Sequence, residues 1–392
     1  MSLSRLCLLF VLIFNLLVYY SCKKDSPSDV QKEQFIKLFG GPYTNEGIDL
    51  IEDAGSFVLI GNQYNQDNIS SILVVKTDDF GNRVWEKELS YQGFSTVASQ
   101  LIKLEKQEGY AIIGTAETDE EPYYSDMILY ILDLNGEIKT EKIYNNTNHE
   151  SGKCLMEFDS GDLMLTATSD STSTASAKEK LFFKVTTTGD TTIRTISRSA
   201  ADVNFTGISY SKNSDFIYIT GKGNNQPEIN VLMKKDFTVF TVMDFDPQVS
   251  FNGITQDTAG NIYVCGTRNS GANVKKEIFV AKLTFDGSDM PFSWQKEIGF
   301  NGDDMGTSIS ISQTNHLIIT GSTQDVQLST YNVYIAELAL LDGNIIQSTT
   351  FGGARNEFGV KSVIDATGKT ITLGTSSFNS SSLISLMKLN WE

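Results

Sequence analysis

Three carboxylates in this sequence recur at one place. Glu150, Asp304 and Glu357 each stand two residues ahead of a small residue that opens an apolar run. The same place in four other segments holds Asn45, Thr96, Phe205 and Phe251. Carboxylate and amide oxygens gathered in this way suit Ca²⁺, a hard cation that takes oxygen ligands. With Tyr43 and Tyr64 from neighbouring loops they would also suit a sugar. Asp304 and Glu357, if held about 5–9.5 Å apart, would meet the geometry for glycoside hydrolysis. The competing reading is that these side chains serve the backbone, because loop N–H groups shielded from water need acceptors.

Other catalytic signals are missing. His149 and His316 are the two histidines, and the organisation derived below sends them to opposite faces, so they share neither a metal nor a relay. No CxxC pair, HExxH, phosphate-binding loop or G-x-S-x-G stretch occurs. The formal charge of −17 argues against nucleic acid, whose affinity rests on Lys and Arg contacts to phosphate. No organic cofactor is implied.

The elements that would position these residues show in the internal repeat, which is the first thing to look for in a long chain. A β-type run ends in Gly61, Gly114, Ala167, Gly221, Gly266, Gly321 and Gly374, at steps of 53, 53, 54, 45, 55 and 53 residues. Upstream, Gly47, Ala98, Gly152, Gly207, Gly253, Gly306 and Gly359 open another strand in step with it. A third run follows, as in "ILVVK", "IFVAK" and "LISLMK", then a turn such as "DDFGN" or "LLDGN", then a fourth strand such as "RVWEKEL". Asp, Asn and Gly in those turns supply local side-chain bonds and positive φ. Apolar positions alternate or run in fours and fives between turn residues, so every unit reads as four short strands.

Four-stranded units at about 50-residue spacing describe a β-propeller. The fold class is therefore all-β: a seven-bladed β-propeller of four-stranded blades over residues 35–392. Its seventh unit stops after its third strand, at "LISLMKLNWE", and "QFIKL" at 34–38 supplies the missing outer strand. "FGG" follows that strand at 39–41 and recurs at the corresponding joint at 351–353. The last blade is thus expected to be closed by the N-terminal strand, which removes an open sheet edge. In this arrangement the D–A and B–C loops share one face. The seven recurrent residues would rim the channel there, beside B–C loops as different as "NQYNQDNIS" and "GKGNNQPE". Lys76, Lys184, Lys234, Lys282 and Lys388 read as one structural position repeated in five units, since a binding site needs asymmetry.

The stretches "TFGGARNEFGVKSVIDATGKTITLGTSS" and "IFVAKLTFDGSDMPFSWQKEIGFNGDDMGTSISIS" resemble the bacterial seven-bladed propeller repeat called SBBP. That pattern runs Trp, Gly-Gly, Asp/Glu, Gly, an Asp-x-x-Gly-Asn turn, Gly-Thr and a Lys-Leu-Asp strand. The likeness spans 35–392 and is strong in units one, five, six and seven. Units three and four lack the Gly-Gly and Trp. The resemblance implies the fold and an exported setting, and assigns no chemistry.

The start of the chain supports export. Arg5 precedes the predominantly apolar run Leu6–Tyr20, which ends in Ser21-Cys22. The run is shorter than the roughly 20 residues of a membrane span and has the order of a secretory signal. Cys22 followed by Lys-Lys-Asp-Ser-Pro-Ser-Asp resembles a bacterial lipoprotein signal, with Tyr19 in a place that usually holds an aliphatic residue. On this reading residues 1–21 are a signal peptide, Cys22 is lipidated, and 22–34 is a polar tether. The lipid chains then anchor the protein to a bacterial outer membrane, on its periplasmic or its outer side. Cys154 and Cys265 fall on non-adjacent units and are expected to be buried free thiols. The function expected is a lipid-anchored binding or scaffold module that meets a glycan or protein partner on the D–A/B–C face. A carboxylate-dependent glycan hydrolase or lyase is the alternative, and a purely structural ring the third reading.

Overall fold

The second strand of each blade shows how these residues make sheets. Ser56–Tyr64 buries nearly every position, because a blade's inner strands are covered on both faces by neighbouring blades. Arg83–Leu89, the outer strand of the same blade, alternates exposed and half-buried residues. Between inner and outer strands the turns are fixed locally. Asp78 Oδ1 accepts the N–H groups of Phe80 at 2.9 Å and Asn82 at 2.8 Å, while Gly81 takes φ +72°.

A computed structural model describes residues 34–117, 124–144, 149–170, 178–199, 202–211, 213–224, 226–270, 275–365 and 367–389. Among them, 28 strands form seven four-stranded antiparallel sheets arranged in a ring, a seven-bladed β-propeller. Blades 1 to 6 are continuous, from Asn45–Leu89 to Asp304–Phe351. Blade 7 takes Glu357–Ile364, Thr370–Phe378 and Ser381–Leu389 from the end of the chain and Phe35–Phe39 from its beginning. The closing strand pairs antiparallel from Phe35↔Lys388 to Phe39↔Ile384, as the sequence indicated.

That strand also latches blade 7 to blade 1. Trp85 on the outer strand of blade 1 donates from Nε1 to Leu134 O at 3.0 Å, on the C–D turn of blade 2. Trp294 does the same to Leu340 O at 3.3 Å. Phe35 occupies the equivalent place against the turn of blade 1, and Lys37 Nζ donates to Asn82 Oδ1 at 3.0 Å. The turn must offer a glycine: a Cβ on Gly343 would lie 2.6 Å from the Trp294 ring.

The apolar core is divided into seven layers, one between each pair of adjacent blades. The layer between blades 3 and 4 is unlike the others. Lys180 and Glu228, both almost wholly buried, form an ion pair there. Asn230 braces it, accepting from Lys180 Nζ at 3.0 Å and donating to Glu228 Oε1 at 2.8 Å. The same register positions between blades 1 and 2 hold Ile72 and Ile128.

Two sequence registers need correction. Gly47 pairs with Gly61, Ala98 with Gly114, and Gly306 with Gly321. In blades 4 and 5, however, Gly221 and Gly266 pair with Phe205 and Phe251, not with Gly207 and Gly253. A slip of two residues leaves every side chain on its proper face, so period-2 patterning cannot detect it. Likewise Lys76, Lys184, Lys282 and Lys388 share one register on the third strand, whereas Lys234 lies beyond its strand, in the turn after Gln226–Met233. Three of the four make the expected structural bonds, Lys76 to Asp53 at 2.9 Å, Lys184 to Asp162 at 2.9 Å and Lys388 to Asp365 at 2.7 Å.

Candidate functional site

The loops that lead into each innermost strand bond to the end of the next strand, which brings the D–A and B–C loops together. Tyr64 N–H donates to Thr44 O at 2.9 Å, Glu117 to Ser95 O at 2.9 Å and Ser377 to Asn356 O at 2.8 Å. Corrected for register, the ring of equivalent residues is Asn45, Thr96, Glu150, Val203, Val249, Asp304 and Glu357. Their cross-strand partners are Gln63, Ala116, Ser169, Arg268, Thr323 and Ser376 in the six blades where the position lies inside a strand. Phe205 and Phe251 are not on this rim. Each lies one pleat deeper and is almost fully buried, Phe205 against Phe182 at 5.5 Å and Phe251 against Phe245 at 5.0 Å.

Asn45, Thr96 and Asp304 turn inward to their own loops. Asn45 is 1% exposed. Its Oδ1 accepts from Gly41 N–H at 2.9 Å, and its Nδ2 donates to the carbonyls of Tyr43 and Ser382, both at 2.7 Å. It thereby stitches blade 1 to blade 7. Thr96 Oγ1 accepts from Tyr91 N–H at 3.0 Å and donates to Phe94 O at 3.1 Å. Asp304 has no exposed surface, and its Oδ2 accepts from Phe300 N–H at 2.6 Å. Glu150 is buried and its Oε1 accepts from Ser169 Oγ at 3.3 Å. Glu357 is half-buried, with Oε2 shielded and without a hydrogen-bond partner among the described residues.

Burial governs the electrostatics of the two neighbouring acids. Desolvation raises the Asp304 carboxyl to about 6, against the opposing pull of the Phe300 N–H and the Lys275 charge. Desolvation likewise raises Glu357, with Arg355 opposing it. Among the described residues no group of three or more His, Cys, Asp or Glu side chains is placed to hold a metal ion.

Tyr43 and Tyr64 remain at the surface of this face. Tyr43 is 42% exposed, with its hydroxyl 3.5 Å from Gln66 Oε1. Tyr64 is half-buried, and its hydroxyl is pushed up by burial and by Glu46. His149 stacks on Tyr124 at 5.5 Å, and His316 Nδ1 lies 2.6 Å from Glu337 Oε1 at an A–B turn, so the two histidines are not brought together. Cys154 and Cys265 are buried and unpaired, their thiols pushed up to about 12 by desolvation. Cys22 lies outside the described residues.

Sequence reasoning missed a cleft on this face. Between blades 4 and 5, where the rim position carries Val249 and no polar side chain, a cavity of about 290 Å³ opens. Asn204, Thr206, Ser250 and Asn269 line it with Phe251 and Pro227. Asn252, also on its wall, is held by a 2.6 Å bond from its amide to Gly306 O. The available signal was the one short step of the repeat, 45 residues from Gly221 to Gly266, which marks the unit whose loops differ.

The fold and this face define the class of the protein, a closed seven-bladed propeller with one asymmetric sector. Solved structures agree on the fold. The Dos1 propeller aligns at a TM-score of 0.54 and 12% identity, over 91% of this chain and 96% of that one. The polysaccharide lyase Uly1 aligns at 0.55 and 11%, over 94% of each chain. The Cps50 (Swd1) propeller domain of Myceliophteria thermophila aligns at 0.55 and 9%, over 90% of this chain and 99% of that one. No protein-family model matches the chain, and no curated protein does.

Proposed function

We propose that this protein is an exported binding module, anchored to a bacterial outer membrane through lipid on Cys22, that recognises a glycan on its D–A/B–C face. The observation that carries the reading is the cleft between blades 4 and 5. There the exposed Asn204 and Asn269 side chains line a cavity of about 290 Å³, beside Thr206 and Ser250, whose hydroxyls donate to Thr220 Oγ1 at 3.2 Å and Thr267 O at 3.3 Å. Amides and hydroxyls both donate and accept, which matches a ligand rich in hydroxyl groups. The volume is near the lower end of ligand cavities, about 300 Å³, and suits one sugar unit. The charged Cys22-Lys23-Lys24-Asp25 start and the SBBP-like repeat support an exported setting. Carboxylate-dependent hydrolysis draws less support, since Asp304 has no surface to offer a substrate.

The test is a glycan array followed by calorimetric titration of each hit. Asn204 and Asn269 are exposed, so Asn204→Ala with Asn269→Ala should abolish binding and leave the thermal midpoint unchanged. Binding that survives this double variant, or an array without hits, overturns the reading. A protein partner captured on the same face and lost in the same variant would replace the glycan.

A further inference from the structure

The polypeptide enters the propeller at the end where the A–B and C–D turns emerge. Phe35 pairs with Lys388, and Lys388 Nζ reaches Asp365 on the A–B turn of blade 7 at 2.7 Å. From Cys22 to Phe35 is 13 residue steps, and a chain of that length spans at most about 45 Å whatever its path. An anchor on Cys22 therefore holds the bilayer within that reach of blade 7, and the tether starts from the turn end of the ring.

The blades around this entry carry the most exposed apolar side chains of that end. Among the described residues, six large hydrophobic side chains are at least half exposed. Two of them, Val326 and Leu328, lie on the B–C loop of blade 6, at the opposite face. The other four are Phe80 and Val84 on blade 1, at 50% and 60%, and Leu341 and Ile346 on blade 6, at 84% and 50%. Ile36 on blade 7 stands between them at 49%. Phe80 and Leu341 belong to C–D turns, and Val84, Ile346 and Ile36 are each the second residue of an outer strand. All five therefore stand at one level, the turn end of the successive blades 6, 7 and 1.

Elsewhere the C–D turns cover their apolar residues. Leu134 of blade 2 is partly buried beside Trp85, Phe237 of blade 4 is wholly buried, and Met290 of blade 5 is nearly so. The turn of blade 3, Thr186 to Asp190, has none to cover. Ile138 and Phe240, one each on blades 2 and 4, come nearest at 48%. The charges on the apolar rim are mixed and mainly acidic. Asp79 and Asp342 are exposed beside Phe80 and Leu341, and the exposed Arg83 is paired with Glu86 at 2.8 Å. Carboxylates at the tips of the turns confine insertion to the boundary between headgroups and acyl chains, and they disfavour anionic lipid. Such a rim is too weak to hold a membrane alone and acts beside an anchor.

We propose that the turn end of blades 6, 7 and 1 lies against a zwitterionic bilayer, with Leu341, Ile346, Ile36, Phe80 and Val84 at its headgroup boundary. The D–A/B–C cleft, at the other end of the ring, is then turned away from the membrane. The proposal rests on the lipid anchor at Cys22 and is independent of what the cleft binds.

The test couples the chain from Cys22 onward, through that thiol, to a maleimide lipid in phosphatidylcholine vesicles, with or without bromine on the acyl chains to quench tryptophan on contact. Cys154 and Cys265 are buried, so Cys22 is the thiol that reacts. Brominated vesicles should quench the added fluorescence of Leu341→Trp and of Phe80→Trp. Leu328→Trp, at an equally exposed apolar position on the opposite face, should be spared. Phe80→Ser with Leu341→Ser, read through Ile346→Trp, should lower the docked-to-free ratio about tenfold, from the apolar area lost, with an unchanged thermal midpoint. Leu341→Trp quenched no more than Leu328→Trp, or a docked ratio indifferent to the serine pair, would overturn the proposal. A dimer of the uncoupled chain in sedimentation equilibrium, abolished by the serine pair, would replace the bilayer with a second copy. Coupling supplies the anchor chemically, so these outcomes are distinct from failure of lipidation, which would appear as equal membrane partition of parent and Cys22→Ser in cells.

Discussion

Asp304 offers the sharpest test of the reasoning, because its burial and its bond pull in opposite directions. Its carboxyl is raised from 3.8 to about 6 by desolvation. The folded protein therefore binds a proton that the unfolded chain has already released between pH about 4 and 6. Stability is fully present below that window and is lost as pH rises through it. About two pKa units correspond to roughly 3 kcal/mol. Asp304→Asn removes the charge while its side-chain oxygen still accepts the Phe300 N–H. The new amide N–H takes the place of Oδ1, which has no partner among the described residues, and that costs about 1–2 kcal/mol. The net expectation is a gain of about 1–2 kcal/mol at pH 8 that reverses to a loss of about 1 kcal/mol near pH 4. Asp304→Ala also removes the charge, but strands the Phe300 N–H and leaves a void. It should be less stable than Asp304→Asn by about 1–3 kcal/mol. Urea denaturation of the three proteins from pH 4 to 8 measures this, and subtracting the variant from the parent cancels the other titrating groups. A flat difference profile, or Asp304→Asn less stable than the parent at pH 8, would refute the account.

Deleting residues 23–39 removes the closing strand and its latch on blade 1, and should lower the thermal midpoint and broaden the transition; an unchanged melt would contradict closure by this strand. Lys180→Met alone should cost about 3–5 kcal/mol by stranding Glu228, whereas Lys180→Met with Glu228→Leu should be neutral or stabilising, so the double-mutant cycle must show strong coupling. Asn45→Ala removes the acceptor of the Gly41 N–H and the donor to the carbonyls of Gly41, Tyr43 and Ser382, and denaturation should show a loss of about 1–3 kcal/mol. Cys22→Ser should move the protein from the membrane to the soluble fraction without altering its circular dichroism, and equal membrane partition after a high-salt wash would count against lipidation.

What the sequence determined by itself was the architecture. A small residue at regular spacing and apolar runs recur seven times, with a Gly-containing turn before the outer strand in five units, and each is a local requirement of a four-stranded blade, so their period counts the blades. The closing strand was legible for the same reason: "FGG" at 39–41 repeats the joint at 351–353, and a blade short of one strand has an edge to cover. The depth of residues along a strand was not legible. Phe205 and Phe251 could be moved by two positions with no change of face, and hydrogen-bond pairing with Gly221 and Gly266 settled where they sit. Nor could sequence tell whether a rim carboxylate points to solvent or to backbone. Asp304 and Asn45 turn inward because the entering loops have buried N–H groups to satisfy, a demand that arises once the blades pack. The buried pair Lys180 and Glu228 lies 48 residues apart in sequence and faces across a blade interface. Only the closing of the ring brings such groups together, since the interblade layers, and the grooves between them, exist nowhere in a single repeat.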